Sequence, residues 1–195
     1  MKDLIIHPED PTTDFLSQIY ARLTNKTVIR GDISKSEIPK LIESHDRVLM
    51  LGHGSPNGLL SIDMFPDADS YIIDDSMVLS LKNKTNCLFI WCHANQFVQR
   101  HGLSGLYCGM FLSEMIELFY YGFDDLDLNM IDQSNERFAS VVSKYLNEPM
   151  EILYKKLLVE YGFMARTNPI ARFNLERLYL TCLGTNKNPV KVGAI

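Results

Sequence analysis

Short uninterrupted apolar runs alternate along this chain with stretches in which apolar residues recur every three or four positions. Leu4-Ile5-Ile6 reads as a buried strand, and after a Pro/Asp/Thr loop the positions Phe15, Ile19 and Leu23 repeat at helical spacing, with Thr12 or Thr13 placed to cap. Thr27-Val28-Ile29-Arg30 is a second, β-branched strand; Gly31-Asp32 ends it, and Ile38, Leu41 and Ile42 predict another amphipathic helix. Val48-Leu49-Met50-Leu51 and Cys87-Leu88-Phe89-Ile90-Trp91 are apolar throughout, as strands covered on both faces of a parallel sheet must be. Between them, Leu59 to Ile62 and Tyr71 to Ile73 predict a small ribbon, and Val78 to Leu81 a short helix. Gly105 to Gly109 reads as a further strand and Met115, Leu118 and Phe119 as a helix face.

From Asn129 onward the period becomes helical. Phe138, Val141, Val142, Tyr145 and Leu146 form one stripe, and Met150, Leu153, Leu157, Leu158 and Tyr161 another, with Pro149 suited to the first turn of the second helix. Repeated strand-helix units imply an α/β fold built on a mainly parallel sheet with right-handed crossovers, and a helical C-terminal third. With no repeat or linker to divide it, the chain is expected to form a single domain over residues 1–195. Its sheet-bearing core spans 1–122, and a helical extension spans 123–195.

Composition narrows the functional classes. A chain of 195 residues, 46% hydrophobic, is large enough to bury a core without disulfide or metal staples. The net charge of -5 and the lack of a dense Lys/Arg cluster remove the electrostatic footprint of a nucleic-acid binder. The first apolar run is too short for a signal-peptide core and no segment has the length of a membrane span, so a cytoplasmic protein with no membrane contact is expected. In that compartment the four cysteines, Cys87, Cys92, Cys108 and Cys182, are expected as free thiols.

Two of the apolar strands end in reactive side chains. Val48 to Leu51 runs into Gly52-His53-Gly54, and Cys87 to Trp91 into Cys92-His93-Ala94-Asn95. Ligands gather beyond the carboxyl ends of parallel strands, where both His53 and Cys92 fall. A cysteine attacks as thiolate and needs an imidazole within reach, together with backbone N–H donors for the oxyanion.

Strand-His-Gly followed by strand-Cys, in Leu49-Met50-Leu51-Gly52-His53-Gly54 and Leu88-Phe89-Ile90-Trp91-Cys92-His93-Ala94, resembles the caspase, legumain and gingipain group of cysteine peptidases. The resemblance covers roughly the first 120 residues, the size of one sheet-bearing domain. It implies a caspase-like sheet sandwiched by helices and a cysteine endopeptidase that cleaves peptides or proteins through an acyl-enzyme. His53 is then the proton shuttle, Cys92 the nucleophile, and the amides of Gly54 and Cys92 the oxyanion donors. Such chemistry needs no cofactor or metal.

The caspase signature Gln-Ala-Cys-Arg-Gly is replaced here by Trp91-Cys92-His93-Ala94-Asn95, so preference for aspartate is not implied. Asp10 and Asp14, in the loop after the first strand, are candidates for a substrate pocket favouring basic residues, although Asp is equally a cap and turn residue. Cys92 taken alone also fits a buried structural thiol and His53 a satisfied core histidine. His93 and His101 lack the spacing of zinc ligands. A catalytically inactive caspase-like binding module and a thiol-dependent small-molecule hydrolase remain as alternatives, and oligomeric state is not encoded legibly.

Overall fold

The structure, a computed structural model, describes residues 1–123 and 127–182. Its main sheet contains β1 (Asp3–Ile6), β2 (Lys26–Ile29), β3 (Arg47–Leu51), β7 (Cys87–Ile90), β8 (Gly105–Cys108) and β9 (Leu178–Thr181), ordered β2-β1-β3-β7-β8-β9. Five of these strands run parallel, and β9 is antiparallel at the edge beside β8. A smaller antiparallel sheet is formed by β4 (Gly54–Ser55), β5 (Gly58–Leu60) and β6 (Tyr71–Ile73). The protein is therefore an α/β fold on a mainly parallel six-stranded sheet.

Helices cover both faces because consecutive strand residues point to opposite sides. On one face Ile5, Leu49, Leu51, Leu88, Ile90 and Leu106 pack with α1 (Ser17–Tyr20), α6 (Leu128–Tyr145), α7 (Met150–Lys156) and α9 (Pro169–Leu175). On the other, Leu4, Ile6, Val48, Met50, Phe89 and Trp91 pack with α2 (Ile38–Glu43), α3 (Val78–Leu81), α4 (Ala94–His101) and the small sheet. The remaining helices are α5 (Met115–Tyr120) and α8 (Gly162–Met164), the latter continuing a π-helical turn over Leu157–Tyr161.

Three local features differ from the sequence reading. The 123–195 extension is not purely helical, since Leu178 to Thr181 returns to complete the sheet. Leu178 and Leu180 are buried while Tyr179 and Thr181 are half-buried, the period of two that a strand at a sheet edge requires. Within that extension, 124–126 and 183–195 lie outside the described residues. The ribbon gains a third strand, β4, which starts right after His53, and Ala94 to His101 forms a helix directly behind Cys92.

The sheet is tied to α6 by a buried ion pair. Arg47, 1% exposed, donates Nε to Asp3 Oδ1 at 2.8 Å and Nη1 to the carbonyl of Leu146 just past α6. Pairing and hydrogen-bonding of both charges is what makes their removal from water tolerable.

Candidate functional site

The register of the central strands sets the site. Leu51 of β3 lies opposite Ile90 of the neighbouring parallel β7, so His53 and Cys92 each follow two residues beyond an aligned pair. Gly52, at φ +138°, makes the turn that leads β3 into β4 and leaves His53 at the sheet's carboxyl edge. The flanking strands deliver the other partners: Asp10 and Thr12 follow β1, and Glu114 and Glu117 follow β8. Four adjacent strands thus send polar side chains to one edge.

His53 is held through a single ring nitrogen. Thr12 Oγ1 donates to Asp10 Oδ1 at 2.7 Å, because a carboxylate can only accept. With its own proton committed, Thr12 Oγ1 accepts from His53 Nε2 at 2.7 Å. Glu114 Oε1, 3.2 Å from the same Nε2, and Asp10 Oδ2, at 3.8 Å, favour the same arrangement. The proton therefore sits on Nε2, and in the neutral ring Nδ1 carries the free lone pair. Burial raises the Asp10 carboxyl, but hydrogen bonds from the Thr12 hydroxyl and amide outweigh this and hold it below the usual range. The loop itself is pinned from behind by His7, whose ring contacts Tyr20 Oη at 3.0 Å and Thr13 Oγ1 at 3.2 Å.

Cys92 is partly buried and protonated at rest. Its Sγ donates to the carbonyl of Phe111 at 3.5 Å and lies 3.9 Å from Glu117 Oε1. Burial foremost, then the Glu117 carboxylate, push the thiol up to about 12. Glu117 is fixed where it stands because its Oε2 accepts the N–H groups of Ser113 at 2.7 Å and Glu114 at 3.1 Å, closing the first turn of α5. Burial also raises the Glu117 carboxyl, against those two N–H donors. Among the described residues His53 and Cys92 share no hydrogen bond. Glu114 contacts His53 and its helix neighbour Glu117 contacts Cys92, so two carboxylates of one segment flank the pair.

Among the described residues, two amides at this edge have no internal acceptor. Leu60 donates to the carbonyl of His53 at 2.9 Å, which makes Gly54 and Leu59 a non-hydrogen-bonded pair of the β4–β5 ladder, so the Gly54 N–H points away from β5. Among the described residues the Cys92 N–H has no backbone partner; the next two amides donate to Gly109 and Trp91. His93 adopts φ +66°, a left-handed conformation uncommon outside glycine, which turns the chain sharply from β7 into α4. Gly54 is sterically required as well, because a Cβ there would stand 2.1 Å from Trp91 Cδ1.

Of the residues singled out from sequence, the structure gathers His53, Gly54, Cys92 and Asp10 at one edge. Asp14 is not part of this group; its carboxylate pairs with Arg30 at 2.7 Å. Asp10 orients Thr12 and His53. Cys108 is fully buried, with Sγ bonded to the Trp91 carbonyl at 3.1 Å and its thiol raised well above normal by burial. Thr12, Glu114 and Glu117 were not singled out as functional. Their signal was positional: each lies in a loop or helix start that follows a strand flanking β3 and β7. Among the described residues no group of three His, Cys, Asp or Glu side chains is placed to hold a metal ion, and no helix is long and apolar enough to cross a membrane. No protein-family model matches the chain, and neither does any curated protein.

Proposed function

We propose that this chain is a cysteine endopeptidase of caspase-like type, working through His53 and Cys92. The observation that carries the reading is the Asp10–Thr12–His53 chain: it fixes the Nε2–H tautomer and leaves Nδ1 as a base, at the edge where Cys92 follows the neighbouring strand in matching register.

In this reading His53 Nδ1 removes the Cys92 proton as sulfur attacks the substrate carbonyl carbon. The pair is not a preformed thiolate and imidazolium, because burial and two nearby carboxylates disfavour the free thiolate. Negative charge develops on the carbonyl oxygen, toward the N–H groups of Gly54 and Cys92. Collapse breaks the peptide C–N bond, and the departing amine takes the proton from Nδ1. Water then gives a proton to Nδ1 and attacks the thioester, and the Cys92 thiol leaves as it regains that proton.

Hydrolysis of a fluorogenic peptide library should be measurable for the wild-type chain and fall at least about a hundredfold in Cys92→Ala and His53→Ala. Equal turnover by wild type and Cys92→Ala would overturn the assignment. A second reading, an inactive caspase-like binding module, is favoured by one observation: the Cys92 thiol bonds to Phe111 and faces Glu117 instead of His53.

A further inference from the structure

Beside His53 opens a groove of about 430 Å³, bounded by the turn after β1, the segment entering α5 and the first turns of α6. Its inner wall includes Thr12 and Glu114, the two residues that contact His53 Nε2 at 2.7 and 3.2 Å. Its outer wall is one face of α6, where Leu128, Asp132, Asn135 and Glu136 recur at helical spacing. Three carboxylates, Glu114, Asp132 and Glu136, therefore surround the space, and among the described residues no Lys or Arg lines it.

An independent feature of the same wall asks for a donor. Asn135 is only 5% exposed, and its Nδ2 donates to the carbonyl of Ser113 at 3.1 Å. That bond assigns the amide orientation and leaves Oδ1 a buried acceptor with no partner among the described residues. Phe15, Met115 and Leu128 supply apolar surface along the groove. An aliphatic stem packed on those three, with a cationic head toward the carboxylates and a hydrogen bond to Asn135, describes a lysine or arginine side chain.

We propose that this groove binds the lysine or arginine side chain of the substrate residue next to the cleaved bond. The inference rests on the peptidase reading for that position, but it assigns basic preference to Glu114, Asp132, Glu136 and Asn135 in place of the Asp10 and Asp14 considered from sequence. Asp14 is neutralised by Arg30, and Asp10 lies behind Thr12 in the chain to His53.

The test separates binding from turnover. Isothermal titration of the full Cys92→Ala chain with peptide amides differing only in Lys, Arg, norleucine or Glu at one position should show Lys and Arg binding roughly tenfold tighter than norleucine, and Glu no tighter than norleucine. Asp132 and Glu136 are exposed, so Asp132→Asn with Glu136→Gln leaves the core intact and should bring Lys within about twofold of norleucine. Equal affinities, no detectable binding, or a Lys advantage that survives the double substitution would each overturn the groove. Hydrolysis by the wild-type chain reports on the dyad separately. A chain that cleaves without regard to this side chain keeps the dyad and loses the groove, whereas one that prefers Lys but never cleaves keeps the groove and loses the dyad.

Discussion

Cys92 and Glu117 face one another at 3.9 Å, and this contact helps decide how readily the thiol ionises. A thiol pushed up to about 12, first by burial and then by Glu117, carries little thiolate at neutral pH, so its alkylation by iodoacetamide should keep rising with pH beyond 9. A plateau near neutrality would mean that the thiol is already ionised and would contradict the resting state described. Glu117→Gln retains an oxygen acceptor for the Ser113 and Glu114 amides but removes the charge, and should accelerate Cys92 alkylation several-fold at pH 8. His53 and Cys92 were legible from sequence because each ends an apolar run. Glu114 and Glu117 were not, because Glu at the start of a helix is what an ordinary capping box also uses. Only the placement of β8 beside β7 gives those two carboxylates another role.

At the scale of elements, the site depends on β4 leaving β3 immediately after His53 and packing on Trp91. Gly54 permits this contact, since any Cβ would collide with the indole and with the Gly58 carbonyl, 2.6 Å away. Gly54→Ala should therefore displace β4 or Trp91 and lower stability by about 1–3 kcal/mol in urea titrations. Trp91 is the sole tryptophan, so its emission reports the displacement directly; unchanged emission and stability would show that the contact is not tight. The strands that form this region were readable from their hydrophobic pattern, because Val48 to Leu51 of β3 and the whole of β7 are buried on both faces and contain no polar residue. Three elements were not. β4 has only two residues, Gly54 and Ser55, too few to show an alternation. β9 is a four-residue strand at the end of a helical tract, where its alternation is outweighed by the surrounding period, and α4 begins only after a left-handed residue, His93, that no local preference announces.

The whole molecule responds to pH through His7, buried between the sheet and the loop that carries Asp10. Burial first, then Arg30, lower its ring from 6.5 to about 4, while Asp14 and Asp10 oppose the shift. The unfolded chain takes up the proton before the folded one does, so this contribution is complete above pH 6.5 and is lost as pH falls toward 4. It amounts to roughly 3 kcal/mol at most. Stability measured between pH 7 and 4 should fall by less in His7→Gln than in the wild type; parallel curves would place the acid sensitivity elsewhere. Because His7 also holds Thr13 and Tyr20, the same protonation would loosen the turn that orients Thr12 against His53.

At every scale the proposed reaction depends on His53 activating Cys92. The most direct measurement is labelling of the full chain by a panel of peptide acyloxymethyl ketones, with the modified residue located by mass spectrometry, in wild type, His53→Ala and Cys108→Ala. The account predicts modification at Cys92, lost in His53→Ala and retained in Cys108→Ala. Labelling that persists without His53, or a folded wild-type chain that no ketone modifies, would contradict it.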